Sequence, residues 1–130
     1  MSIRVQYSTL IVNDLQESVR FYRDVLGFSE GYHVDLPNNT QITIMQSPGG
    51  ACVELIESPM YETGMYSVGT DVDDLDETLS LLAKAGCQPI TPIINTTVGR
   101  QTFILDPNGV RLCLIEHTED YKKKYMGKMN

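Results

Sequence analysis

Ser47-Pro48-Gly49-Gly50-Ala51-Cys52-Val53-Glu54-Leu55-Ile56-Glu57 returns as Asp106-Pro107-Asn108-Gly109-Val110-Arg111-Leu112-Cys113-Leu114-Ile115-Glu116, at a shift of fifty-nine. A Pro-x-Gly turn that leads into an apolar run ending Leu-Ile-Glu is too specific a string to recur by chance. A second echo lies upstream of each copy: Val12-Asn13-Asp14-Leu15 matches Val72-Asp73-Asp74-Leu75 at a shift of sixty. The chain is therefore read as a tandem repeat, and that reading governs its architecture.

Working outward from these anchors, each copy carries the same elements. Residues 6–12 alternate as a strand, with Ser8, Leu10 and Val12 on one face and Tyr7, Thr9 and Ile11 on the other. Asn13-Asp14 offers a helix N-cap, with Gln16 and Glu17 placed as reciprocal capping partners. Leu15, Val19, Tyr22, Val25 and Leu26 follow at helical spacing, and Gly27 ends the helix. Strands are expected over 32–36, 41–46 and 51–57, separated by Pro37-Asn38-Asn39 and Ser47-Pro48-Gly49-Gly50 turns. Residues 58–64 read as a connector.

The second copy has a strand at 66–72 and an Asp73-Asp74 cap. Its helix carries Leu75, Leu79, Leu82 and Ala85 and stops at Gly86. Strands then follow near 89–94, 101–105 and 110–116. The expectation is an α+β fold: two tandem βαβββ units, 5–57 and 65–116, in a single domain spanning 1–117, followed by a basic tail at 118–130.

A sheet of this kind buries one face on its helix and leaves the other to be covered or wetted. Period-two alternation sorts the side chains. Val53 and Leu55 face the helix, while Cys52, Glu54 and Ile56 face away. In the second copy, Leu112 and Leu114 face the helix, and Arg111, Cys113 and Ile115 face away. The same parity puts Ser67, Gly69 and Asp71 with Tyr7, Thr9 and Ile11 on the non-helical side. Two such units are expected to form a curved mixed sheet around a cleft of mixed polar and apolar character, the usual home of a small ligand.

Composition narrows the function classes. Apolar residues make up 42% of the 130 residues and charged residues 21%, as in an ordinary globular protein. A formal net charge of −7 argues against nucleic-acid binding. Lys122, Lys123, Lys124 and Lys128 are read as a solvated C-terminal helix or frayed end, with a docking surface for a partner as the minor alternative. No apolar run approaches the ~18 residues of a membrane span, and no secretory signal is read at the N-terminus, so a cytoplasmic location is expected. Cys52, Cys87 and Cys113 are widely spaced and odd in number. They are expected to be free thiols.

Residues 8–22, closing with Val25-Leu26-Gly27-Phe28, resemble the first strand and helix of the vicinal oxygen chelate superfamily. That group includes glyoxalase I, extradiol dioxygenases and bleomycin resistance proteins. Residues 106–116 resemble the closing strand of the same glyoxalase/bleomycin resistance/dioxygenase fold, and the likeness covers roughly residues 5–117. In metal-dependent members the resemblance implies four ligands, one from the first and one from the last strand of each unit. Carried over, these are Tyr7, Glu54, Ser67 and Cys113, paired by the repeat as Tyr7 with Ser67 and Glu54 with Cys113.

Only Glu54 is of the usual ligand type. A phenol with a pKa of about 10 and a neutral hydroxyl are poor donors, and one thiolate with one carboxylate is half a zinc site. No cofactor is expected and a divalent metal is disfavoured, and the only histidines, His33 and His117, fall outside the four positions. The ligand cleft is expected to use Tyr7, Thr9, Cys52, Glu54, Ser67, Arg100, Arg111 and Cys113, with Glu54 as the candidate catalytic carboxylate. Tyr61, Met65 and Tyr66 are read as a lid or as linker residues packed on the sheet.

Three functions are compatible with these readings. The first is a metal-free small-molecule binding protein. The second is a divergent glyoxalase-type lyase or isomerase with a non-standard metal site. The third is an accessory dimeric interaction subunit. A homodimer is implied by the resemblance.

Overall fold

The computed structural model of the chain describes residues 2–107 and 109–126. Readings made at Met1, Asn108 and Lys128 lie outside the described residues. The chain divides into two compact units. Residues 7–66 form the first, and residues 2–6 join residues 67–107 and 109–126 in the second. The boundary thus falls inside the opening strand, not in the connector where the repeat alone would put it.

β1 (Ile3–Val12), which enters the first unit at Tyr7, leads to α1 (Leu15–Arg20) and then a π-helical turn, Phe21–Val25. Strands β2 (Ser29–Leu36), β3 (Thr40–Gln46) and β4 (Cys52–Glu57) follow. The strand order is β2-β3-β4-β1. β1 runs parallel to β4 with Thr9 opposite Glu54, and β3 is antiparallel to both β2 and β4. The second unit contains β5 (Gly64–Val72), α2 (Leu75–Lys84), β6 (Ile94–Thr96), β7 (Gly99–Leu105), β8 (Arg111–His117) and α3 (Glu119–Lys124). Its order, β5-β8-β7-β6, repeats the first pattern, with β5 parallel to β8.

The repeated letters have repeated structural roles. Asp14 and Asp74, both extended, accept the backbone N–H of Glu17 and Glu77 at 3.0 Å. These are N-caps, each satisfying a helix N–H that has no partner within the helix. The closing glutamate of each Leu-Ile-Glu string does the same for the first helical residue. Glu57 accepts from Leu15 N at 2.7 Å, and Glu116 accepts from Leu75 N at 2.9 Å. The end of each last strand is therefore tied to the start of its own unit's helix.

The cores lie between helix and sheet. Leu15, Val19, Met45 and Leu55 form one, with Leu10, Val12, Tyr22, Phe28 and Val53 packed around them. Val72, Leu75, Ile104 and Leu114 form the other, with Leu79, Leu82, Cys87 and Leu112. The alternation expected for β1, β4 and β8 is the one observed.

Three elements differ from expectation. Val25 and Leu26 do not continue the helical stripe but are 67% and 45% exposed. The π turn supplies the reason: it winds wider than 3.6 residues per turn and rotates the following side chains off the stripe. Phe28 packs on the core instead. In the second copy, no regular strand covers 89–93, and β6 begins only at Ile94. Pro89 and Pro92 lack N–H donors for a ladder, so the segment is pinned singly. Ile90 N donates to Phe103 O at 2.8 Å, and the Thr91 and Thr102 hydroxyls meet at 2.8 Å. Finally, His117 is the last residue of β8 rather than a residue beyond it. The tail opens as α3, whose Tyr121 is buried.

Candidate functional site

The non-helical face of the first unit gathers four of the expected site residues. Tyr7, Thr9 and Cys52 are buried there, and Glu54 is half-buried. β1 and β4 bring them together because they are parallel neighbours, with Tyr7 opposite Cys52 and Thr9 opposite Glu54. Ile44 flanks Glu54 from β3, and Ile11 and Ile56 stand one step further along the same face.

Glu54 is thus a carboxyl in largely apolar company. The Thr9 hydroxyl donates to its Oε1 at 2.8 Å. Burial pushes the Glu54 carboxyl up to about 7, against the Thr9 hydrogen bond, which pulls it down. Near neutrality this group exists as both acid and base. Burial also pushes the Cys52 thiol up, which keeps it protonated and a weak nucleophile.

On the matching face of the second unit, Gly69 stands opposite Cys113 as Thr9 stands opposite Glu54. Ser67, Asp71 and Cys113 are buried, and Arg111 is exposed at the start of β8. Thus the Thr9–Glu54 pair of the first copy is changed in the second: a glycine replaces the hydroxyl donor and a thiol replaces the acid.

Arg100 is a correction. It pairs across the sheet with Glu116 and carries ion pairs to Asp76 of α2 at 3.1 Å and to Glu116 at 3.4 Å. These partners set it on the helical side of its unit, away from the face shared by Ser67, Asp71 and Cys113. Arg100 shares its face of β7 with Thr102, which stands opposite the core residue Leu114.

The sequence reading missed one cluster. Asp71 Oδ1 meets His117 Nδ1 at 2.7 Å, and Asp71 Oδ2 accepts from the Arg4 guanidinium at 2.5 Å. The Asp71 and His117 side chains are 2% and 1% exposed. Burial raises the Asp71 carboxyl, but the bonds from His117 and Arg4 outweigh it and hold the group below its ordinary value. His117 also stacks on Tyr121 at 4.5 Å. Asp71 had been placed by parity on this face, so a buried aspartate in need of partners was the available signal. His33, by contrast, is a surface strand residue bonded to Thr43 and Asp35.

The lid candidates Tyr61 and Tyr66 pack edge-on at 5.1 Å, and Tyr61 and Met65 are exposed. Tyr61 lines a cavity of about 410 Å³ at the carboxyl ends of β1 and β4, with Val12, Asn13, Glu57 and Ser58. Glu54 is not among the walls of that cavity.

The donor set does not suit a divalent metal. Among the described residues, no three His, Cys, Asp or Glu side chains gather in a group that could hold one. Glu54, the one standard ligand type, is drawn toward its protonated form by its surroundings, and a protonated carboxyl is a poor ligand.

Comparisons with known proteins bear on the fold and family. A search of curated protein sequences returns no match. Among solved structures, a hypothetical protein from Bacillus halodurans C-125 superposes with a TM-score of 0.77 at 19% identity, covering 92% of this chain and 97% of its own. Methylmalonyl-CoA epimerase from Mycobacterium tuberculosis gives 0.77 at 20% identity, covering 92% and 91%. A Streptomyces coelicolor methylmalonyl-CoA epimerase variant in complex with 2-nitronate-propionyl-CoA gives 0.68 at 19%, covering 89% and 95%. At these identities the likeness shows a shared fold. Residues 4–114 match the family described as Glyoxalase/Bleomycin resistance protein/Dioxygenase superfamily.

Proposed function

Because the chain belongs to the Glyoxalase/Bleomycin resistance protein/Dioxygenase superfamily, we propose that it binds a small molecule on the non-helical face of its first unit, with the Glu54 carboxyl as the polar contact. The observation that carries this reading is a half-buried glutamate among Ile11, Ile44 and Ile56 with one hydroxyl partner. A ligand with an apolar body and one hydrogen-bonding group matches that surface. The reading requires no metal. Calorimetric titration against a library of such compounds tests it. Glu54→Gln is expected to weaken binding about tenfold, the cost of one hydrogen bond to a charged group. Equal binding by the variant, or tight zinc or nickel binding coupled to turnover, would remove the proposal.

A second reading is favoured by the same carboxyl. A group that titrates near neutrality is suited to taking and returning a proton. In this reading the protein is an isomerase in which Glu54 moves a proton at a carbon of the ligand. Methylmalonyl-CoA is the first compound to test, because structural neighbours are epimerases of that substrate. Solvent deuterium entering the compound in the presence of the wild-type protein, and not with Glu54→Gln, supports it; no exchange above background removes it for that compound.

A further inference from the structure

We propose that Thr9 is a positioning residue that fixes which oxygen of Glu54 meets the ligand: its hydroxyl holds Oε1, leaving Oε2 as the working atom. The inference rests on the reading that Glu54 contacts the ligand, but its geometry stands apart from any ligand. Thr9 and Glu54 are register partners on adjacent parallel strands, so backbone pairing sets their spacing. The hydroxyl of a β-branched residue has few rotamers open to it, and Thr9 is buried at 3% exposure. Its Oγ1 donates to Oε1 at 2.8 Å. Among the described residues, no other hydrogen bond to the Glu54 carboxyl is found. Oε2 is then the oxygen that accepts from a ligand donor when Glu54 is ionised, or donates to a ligand acceptor when it is protonated.

The second copy supplies an internal contrast. Gly69 occupies the place of Thr9, and Cys113 occupies that of Glu54. Where the carboxyl is absent, so is the hydroxyl that would orient it.

The arrangement has a directional consequence. A hydroxyl donor favours the ionised carboxylate, so removing it drives the group toward the protonated form. The test uses the full-length protein labelled with ¹³C at glutamate side-chain carboxyls. The Glu54 signal is assigned by its loss in Glu54→Gln, and its titration is followed by NMR. Thr9→Val is nearly isosteric and lacks the donor; its Glu54 midpoint is expected about one pH unit above the wild type. Thr9→Ser keeps the donor and is expected to restore the wild-type midpoint.

A merely structural Thr9 would leave the midpoint in place in a folded Thr9→Val protein, and that result overturns the proposal. If Thr9→Val does not fold, the wild type still decides the matter by infrared spectroscopy below pH 6. The carbonyl band lost in Glu54→Gln should lie at a hydrogen-bonded position, and a free-carbonyl position overturns the proposal. Neither readout involves a ligand, so failure here is distinct from failure of the binding assay.

Discussion

At the scale of single residues, the half-buried Glu54 and the buried Asp71 are acids with opposite tendencies, and each yields a test by pH. The Glu54 carboxyl is raised by burial to about 7 in the folded protein, above its ordinary value. A raised carboxyl favours folding fully below its unfolded value, and this contribution is lost as pH rises through about 7. Above that pH the ionised group opposes folding. Glu54→Gln should therefore gain stability relative to wild type between pH 5 and pH 8, by on the order of 2–3 kcal/mol at the upper end. Urea titrations at several pH values check this, and a constant difference across the range would contradict it. Asp71 is depressed, so its contribution is present at neutral pH and lost as pH falls through its folded value. Asp71→Asn leaves Arg4 and His117 without their shared carboxylate. A cost of about 1.5–3 kcal/mol at pH 7 is expected, the range for lost hydrogen bonds to a charged group.

At the scale of elements, the two closing strands, β4 and β8, fasten α1 and α2 by the same device. Glu57 and Glu116 each accept the first helical N–H of their unit. Replacing either by alanine should cost about 1.5–3 kcal/mol, the range for a hydrogen bond to a charged group. Glu116→Ala should cost more, since it also releases Arg100. Thermal unfolding of both variants measures the difference, and equal losses would show that the Arg100 pair adds nothing. β7 carries a sharper constraint at its first residue. A Cβ on Gly99 would lie 2.2 Å from Glu116 O and 2.9 Å from His117 Cα, both backbone atoms that cannot swing aside. Gly99→Ala is expected to break the β7–β8 pairing at its end. Faster hydrogen exchange at Thr118 N, which donates to Val98 O beside it, is the readout.

At the scale of the whole molecule, the family places this chain among proteins whose name spans several chemistries, and the homodimer implied by the resemblance is kept as an expectation. Sedimentation equilibrium tests it directly, since a mass of one chain, 14.6 kDa, would refute it. Among the described residues, no helix is long and apolar enough to cross a membrane. The duplication, the caps at Asp14 and Asp74, and the faces of Val53, Leu55, Leu112 and Leu114 were legible in the sequence. They depend on periodicity and on residues a few positions apart, which the chain carries locally. The slip after Arg20 was not legible, because a π turn has no letter of its own and is chosen by how Phe28 and its neighbours pack. The strand near Pro89 was overread for a related reason: the repeat suggested it, and missing proline donors outweighed the repeat. Parity put Glu54 and Asp71 on non-helical faces, but it could not say that one would be lifted toward neutrality and the other held down. Those outcomes depend on burial and on partners such as Thr9, Arg4 and His117, which lie 45 to 67 residues away in the chain. Electrostatics acts through space, so the sequence determined which residues share a face, and only the tertiary structure decided their charge.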